Sequence, residues 1–226
     1  MGKQTAHSRS ETAFVRPKTA QQAVFEALRH EITTGERPPG SVIVQDAVAE
    51  KFDVSRIPIR EALKRLEAEE YVSYAPHMGY RVTKLTLDEL AEVFHLRDVL
   101  EAELIRDAMP KVTEEDIAQM REAMAEMDEA AKESDLIALG VANRRFHELT
   151  FARSSMERAK RIVAQLWNTA DAYRPLYAEL MDMSKVNTEH VLITEAMAER
   201  DTDRVIALNH EHRKRSIDHI REALAE

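Results

Sequence analysis

The chain has 226 residues, a formal net charge of −9 and no cysteine, which excludes a disulfide-stapled scaffold and fits a reducing cytoplasm. It holds no run of about 18 apolar residues that would span a membrane, and residues 1–17, polar and rich in Ser, Thr and Gln, read as a flexible tail rather than a signal peptide. Residues 1–82 carry 12 Lys and Arg against 11 Asp and Glu, and residues 83–226 carry 20 against 30, so the acidity lies in the second of two expected domains.

In chain order, residues 20–33 are amphipathic through Val24, Leu28 and Ile32, and the segment from Gly35 to Gly40, with Pro38 and Pro39, ends that helix. Residues 45–52 read as a short helix with Val48, Ala49 and Phe52 inward. The stretch from Ser55 to Glu67 then reads as one helix with two faces. Ile59, Leu63 and Leu66 recur at i, i+4, i+7 as a buried stripe, while Arg56, Arg60 and Lys64 recur at i, i+4, i+8 as an exposed cationic stripe. Ser55 is placed to cap this helix, and Pro58 falls in its first turn, where a missing N–H costs nothing. Residues 71–74 and 80–82 are strand-like, joined by residues 75–79. Three helices and a hairpin make a winged helix-turn-helix.

The run Val54-Ser55-Arg56-Ile57-Pro58-Ile59-Arg60-Glu61-Ala62-Leu63, then Arg65-Leu66-Glu67, then Gly79 and Val82, resembles the DNA-binding domain of the GntR family of bacterial regulators over residues 18–85. The resemblance implies that Arg56 and Arg60 contact bases or phosphates in the major groove, with Ser55 and Pro58 at the DNA surface. It also implies that His77, Met78 and Gly79 form a wing tip near the minor groove. Lys64 would act chiefly as a phosphate-neutralising charge. Two residues depart from the family pattern: Asp53 replaces a glycine in the turn, and Asp46 stands where some relatives carry a DNA-contacting arginine. So few cations per copy predict a homodimer on a pseudo-palindromic double-stranded operator.

From Thr86 onward the pattern is helical, with breakers at Pro110, Gly140 and Pro175. Helices are expected near 86–108, 113–132, 134–153, 156–182, 186–200 and 202–225, an antiparallel bundle of about six. The fold class is therefore mostly α: a winged helix-turn-helix (18–85) followed by an all-helical bundle (86–226). Thr83 to Thr86 is the expected hinge. Within the bundle, Asn143 and His147 form an i, i+4 pair, and His190 shares a face with Ile193, Thr194 and Met197. His212 shares one with Val205, Leu208 and His219. Three helices can thus converge on one divalent cation, zinc or alternatively nickel or manganese. Equally, each histidine alone reads as a satisfied core residue.

Phe146-His147, Glu189-His190 with Ile193 and Ala196, and Asp201 with His212 eleven residues on are similar to the metal-binding subset of the FCD effector domain, in the FadR branch of GntR regulators. That resemblance implies a metal held by Asn143, His147, His190 and His212, with Asn143 replacing the commoner aspartate. Arg97 also matches the start of that domain and is a candidate for an effector carboxylate, or else an ion pair with Glu101 one turn on. Trp167, Tyr173 and Tyr177 are candidates to line the pocket or to fill the core. The expected function is a cytoplasmic DNA-binding repressor, not an enzyme and with no catalytic residues, released by a small organic acid bound beside a metal. The alternative is a metal-dependent hydrolase with an accessory winged domain, although His147-Glu148 lacks a histidine at residue 151 and so lacks the metalloprotease spacing.

Overall fold

The structure, a computed structural model, describes residues 19–177 and 183–225; the tail expected at residues 1–17 lies outside them. Helix α1 (Ala20–Thr33) starts at Thr19, whose hydroxyl accepts from the Gln22 N–H at 3.2 Å. It buries Val24, Leu28 and Ile32, as their spacing requires. Strand β1 (Val42–Ile43), α2 (Gln45–Phe52), α3 (Arg56–Ala68), β2 (Val72–Ala75) and β3 (Gly79–Val82) follow. The sheet has the order β1-β3-β2, all antiparallel, with Val42 opposite Arg81 and Tyr74 opposite Tyr80. β1 was not expected: two residues are too short to show alternation. Asp53 ends α2 at φ 49°, the left-handed conformation that a short polar side chain tolerates.

In the second part, α4 (Leu87–Ala108) opens with a capping box between Thr86 and Glu89, and a 3-10 turn at Met109–Lys111 contains Pro110. Then come α5 (Glu114–Lys132), with a second box between Thr113 and Asp116, and α6 (Leu136–Leu149), capped by Asp135. α7 (Glu157–Asp171), α8 (Arg174–Tyr177), α9 (Met183–Ala198) and α10 (Thr202–Ala225) complete the chain. The single helix expected over 156–182 instead ends at Asp171. Pro175, inside α8, has no N–H to continue the ladder and disfavours helix at the residue before it. Residues 178–182, where that expectation would have ended, lie outside the described residues. The bundle packs α5 on α6, α4 on α7, and α10 on both α4 and α9, around Leu104, Ile105, Ile117, Met120, Phe146, Ile193 and Met197.

The two parts share an apolar core. Tyr71, Val72, Leu90 and Phe94 pack in one cluster with Ala170 at the end of α7, Ala172 and Tyr173 of the α7–α8 turn and Ile217 and Ile220 of α10. The expected hinge is therefore pinned. Thr83 donates its N–H to Tyr71 O at 3.1 Å, and Leu85 donates its N–H to the Tyr173 hydroxyl at 2.5 Å. Tyr173 thus serves this junction. Among the described residues no helix is long and apolar enough to cross a membrane.

Candidate metal centre and nucleic-acid interface

His147 (α6), His190 (α9) and His212 (α10) converge so that one ring nitrogen from each lies within 4.8 Å of the others. His190 is fully buried, and both its ring nitrogens lack any hydrogen-bond partner among the described residues. An unmet buried polar group costs about 1–3 kcal/mol, so this ring needs a partner that the described residues do not provide. The other two rings are held from behind. Asn209 donates Nδ2–H to Val205 O at 3.0 Å, which leaves Oδ1 to accept from His147 Nδ1–H at 3.1 Å. Glu189 Oε2 accepts from His212 Nδ1–H at 2.7 Å. Both arrangements turn the Nε2 lone pair forward, the orientation that a carboxylate or amide behind a metal-ligating imidazole imposes.

All three imidazoles are held neutral. Burial, followed by the neighbouring histidine charges, pushes His147 and His190 well below the usual histidine range. Burial also lowers His212, against the pull of Glu189. For Glu189, burial alone would raise the pKa, but the hydrogen bond from His212 and the bond and charge of Arg215 outweigh it and keep the carboxylate ionised. Two nitrogens bound to one ion at about 2.1 Å lie no more than roughly 4.2 Å apart, so the set fits a divalent cation after a small inward shift of the rings. Asn143 lies one turn before His147, 5% exposed, with no side-chain hydrogen bond to a described residue. His210 faces away, its ring paired with Asp98.

Beside the histidines, Trp167 stacks against His147 with ring centroids 5.6 Å apart and carries the Arg97 guanidinium 3.7 Å from its own centroid. Arg97 is 4% exposed and donates Nε–H to Glu101 at 3.0 Å, so the ion pair one turn on is present. Its Nη atoms bond no described residue. Glu101 also accepts from Trp167 Nε1–H at 3.1 Å and from Arg213 at 2.5 Å. Asn209 and Arg213 carry no signal in the sequence, and Glu189 enters there only as the neighbour of His190 in the FCD-like pattern, without a role. Their roles depend on how α10 crosses α4, α6 and α9.

On the other part, α3 presents Arg56, Arg60 and Lys64 outward and buries Ile59, Leu63 and Leu66. Ser55 occupies the N-cap position, yet its hydroxyl makes no cap hydrogen bond, and Pro58 lies in the first turn. Lys64 pairs with Glu61 at 3.1 Å, whereas Arg60 pairs with no described residue. Arg56 is bound to Asp46. Ile57, 72% exposed at the start of α3, is a large apolar side chain on this face that belongs to neither the buried nor the cationic stripe. At the wing tip His77 and Gly79 take φ 64° and 78°; a Cβ on Gly79 would meet nothing within 4 Å, and Met78 is 58% exposed.

α7 touches both places. Next to Trp167, Asn168 donates Nδ2–H to Glu69 O at 3.0 Å, at the C-terminus of α3. Its Oδ1 accepts from Tyr71 OH at 3.0 Å and from Arg144 of α6 at 2.7 Å. Gln165 adds a bond to Ala68 O at 3.0 Å. Burial pushes the Tyr71 phenol up to about 12, which keeps it a neutral donor.

A winged helix-turn-helix joined to a histidine-lined helical bundle is the architecture of a DNA-binding transcription regulator. Residues 20–82 match the family described as bacterial regulatory proteins, gntR family, and residues 92–215 match the FCD domain; the chain belongs to the FCD-containing GntR regulators. It is 29% identical over 140 residues to the HTH-type transcriptional regulator McbR of Escherichia coli K12, covering 62% of this chain and 63% of that protein. It is 24% identical over 196 residues, 86% of each chain, to the HTH-type transcriptional repressor RspR of the same organism. The solved structure of E. coli McbR/YncC superposes with a TM-score of 0.77 at 22% identity, over 91% of this chain and 99% of that one, a likeness of fold.

Proposed function

We propose that this regulator is a cytoplasmic repressor that binds a pseudo-palindromic operator as a homodimer and is released by a small organic acid bound beside a divalent metal. In this reading residues 18–85 dock on DNA through Ser55, Arg56, Pro58, Arg60 and Lys64, with His77 and Gly79 in the wing, and residues 86–226 bind effector and dimerise. The orphaned, fully buried His190 carries the metal assignment. Asn143, His147, His190 and His212 would hold the ion, zinc before nickel or manganese. A set of four neutral ligands leaves the ion's full charge to attract an anion. Arg97, with its Nη atoms unbonded to described residues, would take the carboxylate in a forked contact. The name of the RspR relative supports the sign of regulation.

Elemental analysis of protein purified without chelator, with thermal-shift screening of organic acids before and after chelation, tests this reading. About one ion per chain, and stabilisation by one acid class that chelation abolishes, is the expected result. No metal even after addition of zinc, nickel or manganese would overturn the site.

Release of DNA needs an element that both sites bias, and α7 is supported for that role by its contacts with His147 and with the end of α3. Asn168→Ala is expected to leave metal content unchanged while cutting the effector's roughly 5–150-fold effect on operator affinity to near unity. An undiminished effect, measured by operator titration with and without effector, would rule out this route.

A further inference from the structure

We infer that Asp46 is a positioning residue for base recognition, holding Arg56 so that the free edge of its guanidinium reads one guanine. The inference rests on the docking of α3 proposed above. Asp46 lies in the first turn of α2 and Arg56 opens α3, so the turn at Asp53 brings them together. Arg56 Nε meets Asp46 Oδ1 at 2.6 Å and Nη2 meets Oδ2 at 2.8 Å, a two-pronged pair along one side of the fork.

A guanidinium has five N–H groups, and this pair engages one on Nε and one on Nη2. Two on Nη1 and one on Nη2 remain, and one from each nitrogen forms the edge that can meet guanine O6 and N7 together. The long side chain is thereby ordered before DNA arrives, which lessens what must be immobilised on binding.

Both partners are exposed, at 70% and 65% of their side chains, and a pair so open to water contributes little to folding. An arginine that met only phosphate would gain nothing from this neighbour, because the carboxylate repels the backbone. A base edge is different: there the brace fixes direction, and direction is what discriminates. Asp46, which departs from the arginine of some relatives, thus supplies no DNA contact of its own but aims one.

Full-length protein would be used to select duplexes from a random pool, and each guanine of the enriched site then replaced by adenine or 7-deazaguanine. Wild type is expected to lose about 5–150-fold at one guanine per half-site, and Arg56→Ala to lose discrimination at that same guanine. Asp46→Asn and Asp46→Ala should bring that ratio to within about threefold of unity while binding unrelated duplex at least as tightly, as expected for removal of a repelling charge. Tighter binding to every duplex with the guanine ratio intact would make Asp46 a repelling charge only and overturn the inference. Enrichment of no sequence at all would instead overturn the docking of α3.

Discussion

Replacing His147 and His190 together by alanine is expected to reduce bound metal from about one ion per chain to background. Two of the four proposed ligands then disappear, and His212 and Asn143 alone offer no chelating set. Where free metal stands at about 100 times its dissociation constant, binding stabilises the native state by roughly 2.7 kcal/mol. A chain of this size shifts in Tm by about 2–4 °C per kcal/mol, so chelation should lower the wild-type midpoint by roughly 5–11 °C and leave the double variant unmoved. His210→Ala, which alters a half-exposed ring outside the cluster, should retain the ion. Unchanged metal content in the double variant, read by elemental analysis, would refute the site.

Arg56→Ala is expected to abolish specific operator binding while the protein stays folded. A well-placed arginine–guanine contact discriminates by about 1–3 kcal/mol. In the proposed dimer two such contacts are lost, about 2–6 kcal/mol, or at least roughly 30-fold in affinity for the selected operator. Stability should barely change, because the Arg56 side chain is 70% exposed and such pairs contribute about 0–1 kcal/mol. Gel-shift titration beside thermal melting checks both halves; retained operator affinity would refute the docking assignment.

The periodic parts of this fold were legible in the sequence. α1, α3 and most of the helices after Thr86 announce themselves through a 3.6-residue repeat and through caps such as Thr86 with Glu89, whereas the break between α7 and α8 does not. What was not legible is non-local. β1 exists only because β3 lies beside it, and the junction that pins Leu85 depends on Tyr173, 88 residues later. Arg97 illustrates the same limit: a carboxylate one turn away was visible, but the Trp167 face beneath it was not. The three histidines could be placed on inward faces by spacing; that they meet follows from the crossing of α6, α9 and α10. The partners behind them, Asn209 and Glu189, come from the same crossing. Ser55 shows the opposite case, since a residue type suited to capping occupies the cap position without making the bond.

The apolar cluster that runs from Tyr71 and Phe94 into Ala172, Ile217 and Ile220 bears on how such regulators can be recombined. A chimera spliced at the linker, pairing this winged part with a foreign sensor, would leave the winged members of that cluster facing mismatched surfaces. The transplantable unit is therefore discontinuous in sequence: residues 19–94, the end of α7 with its turn, and the last turns of α10. Exchange of specificity between relatives by simple fusion should succeed only where those distant patches already match in shape.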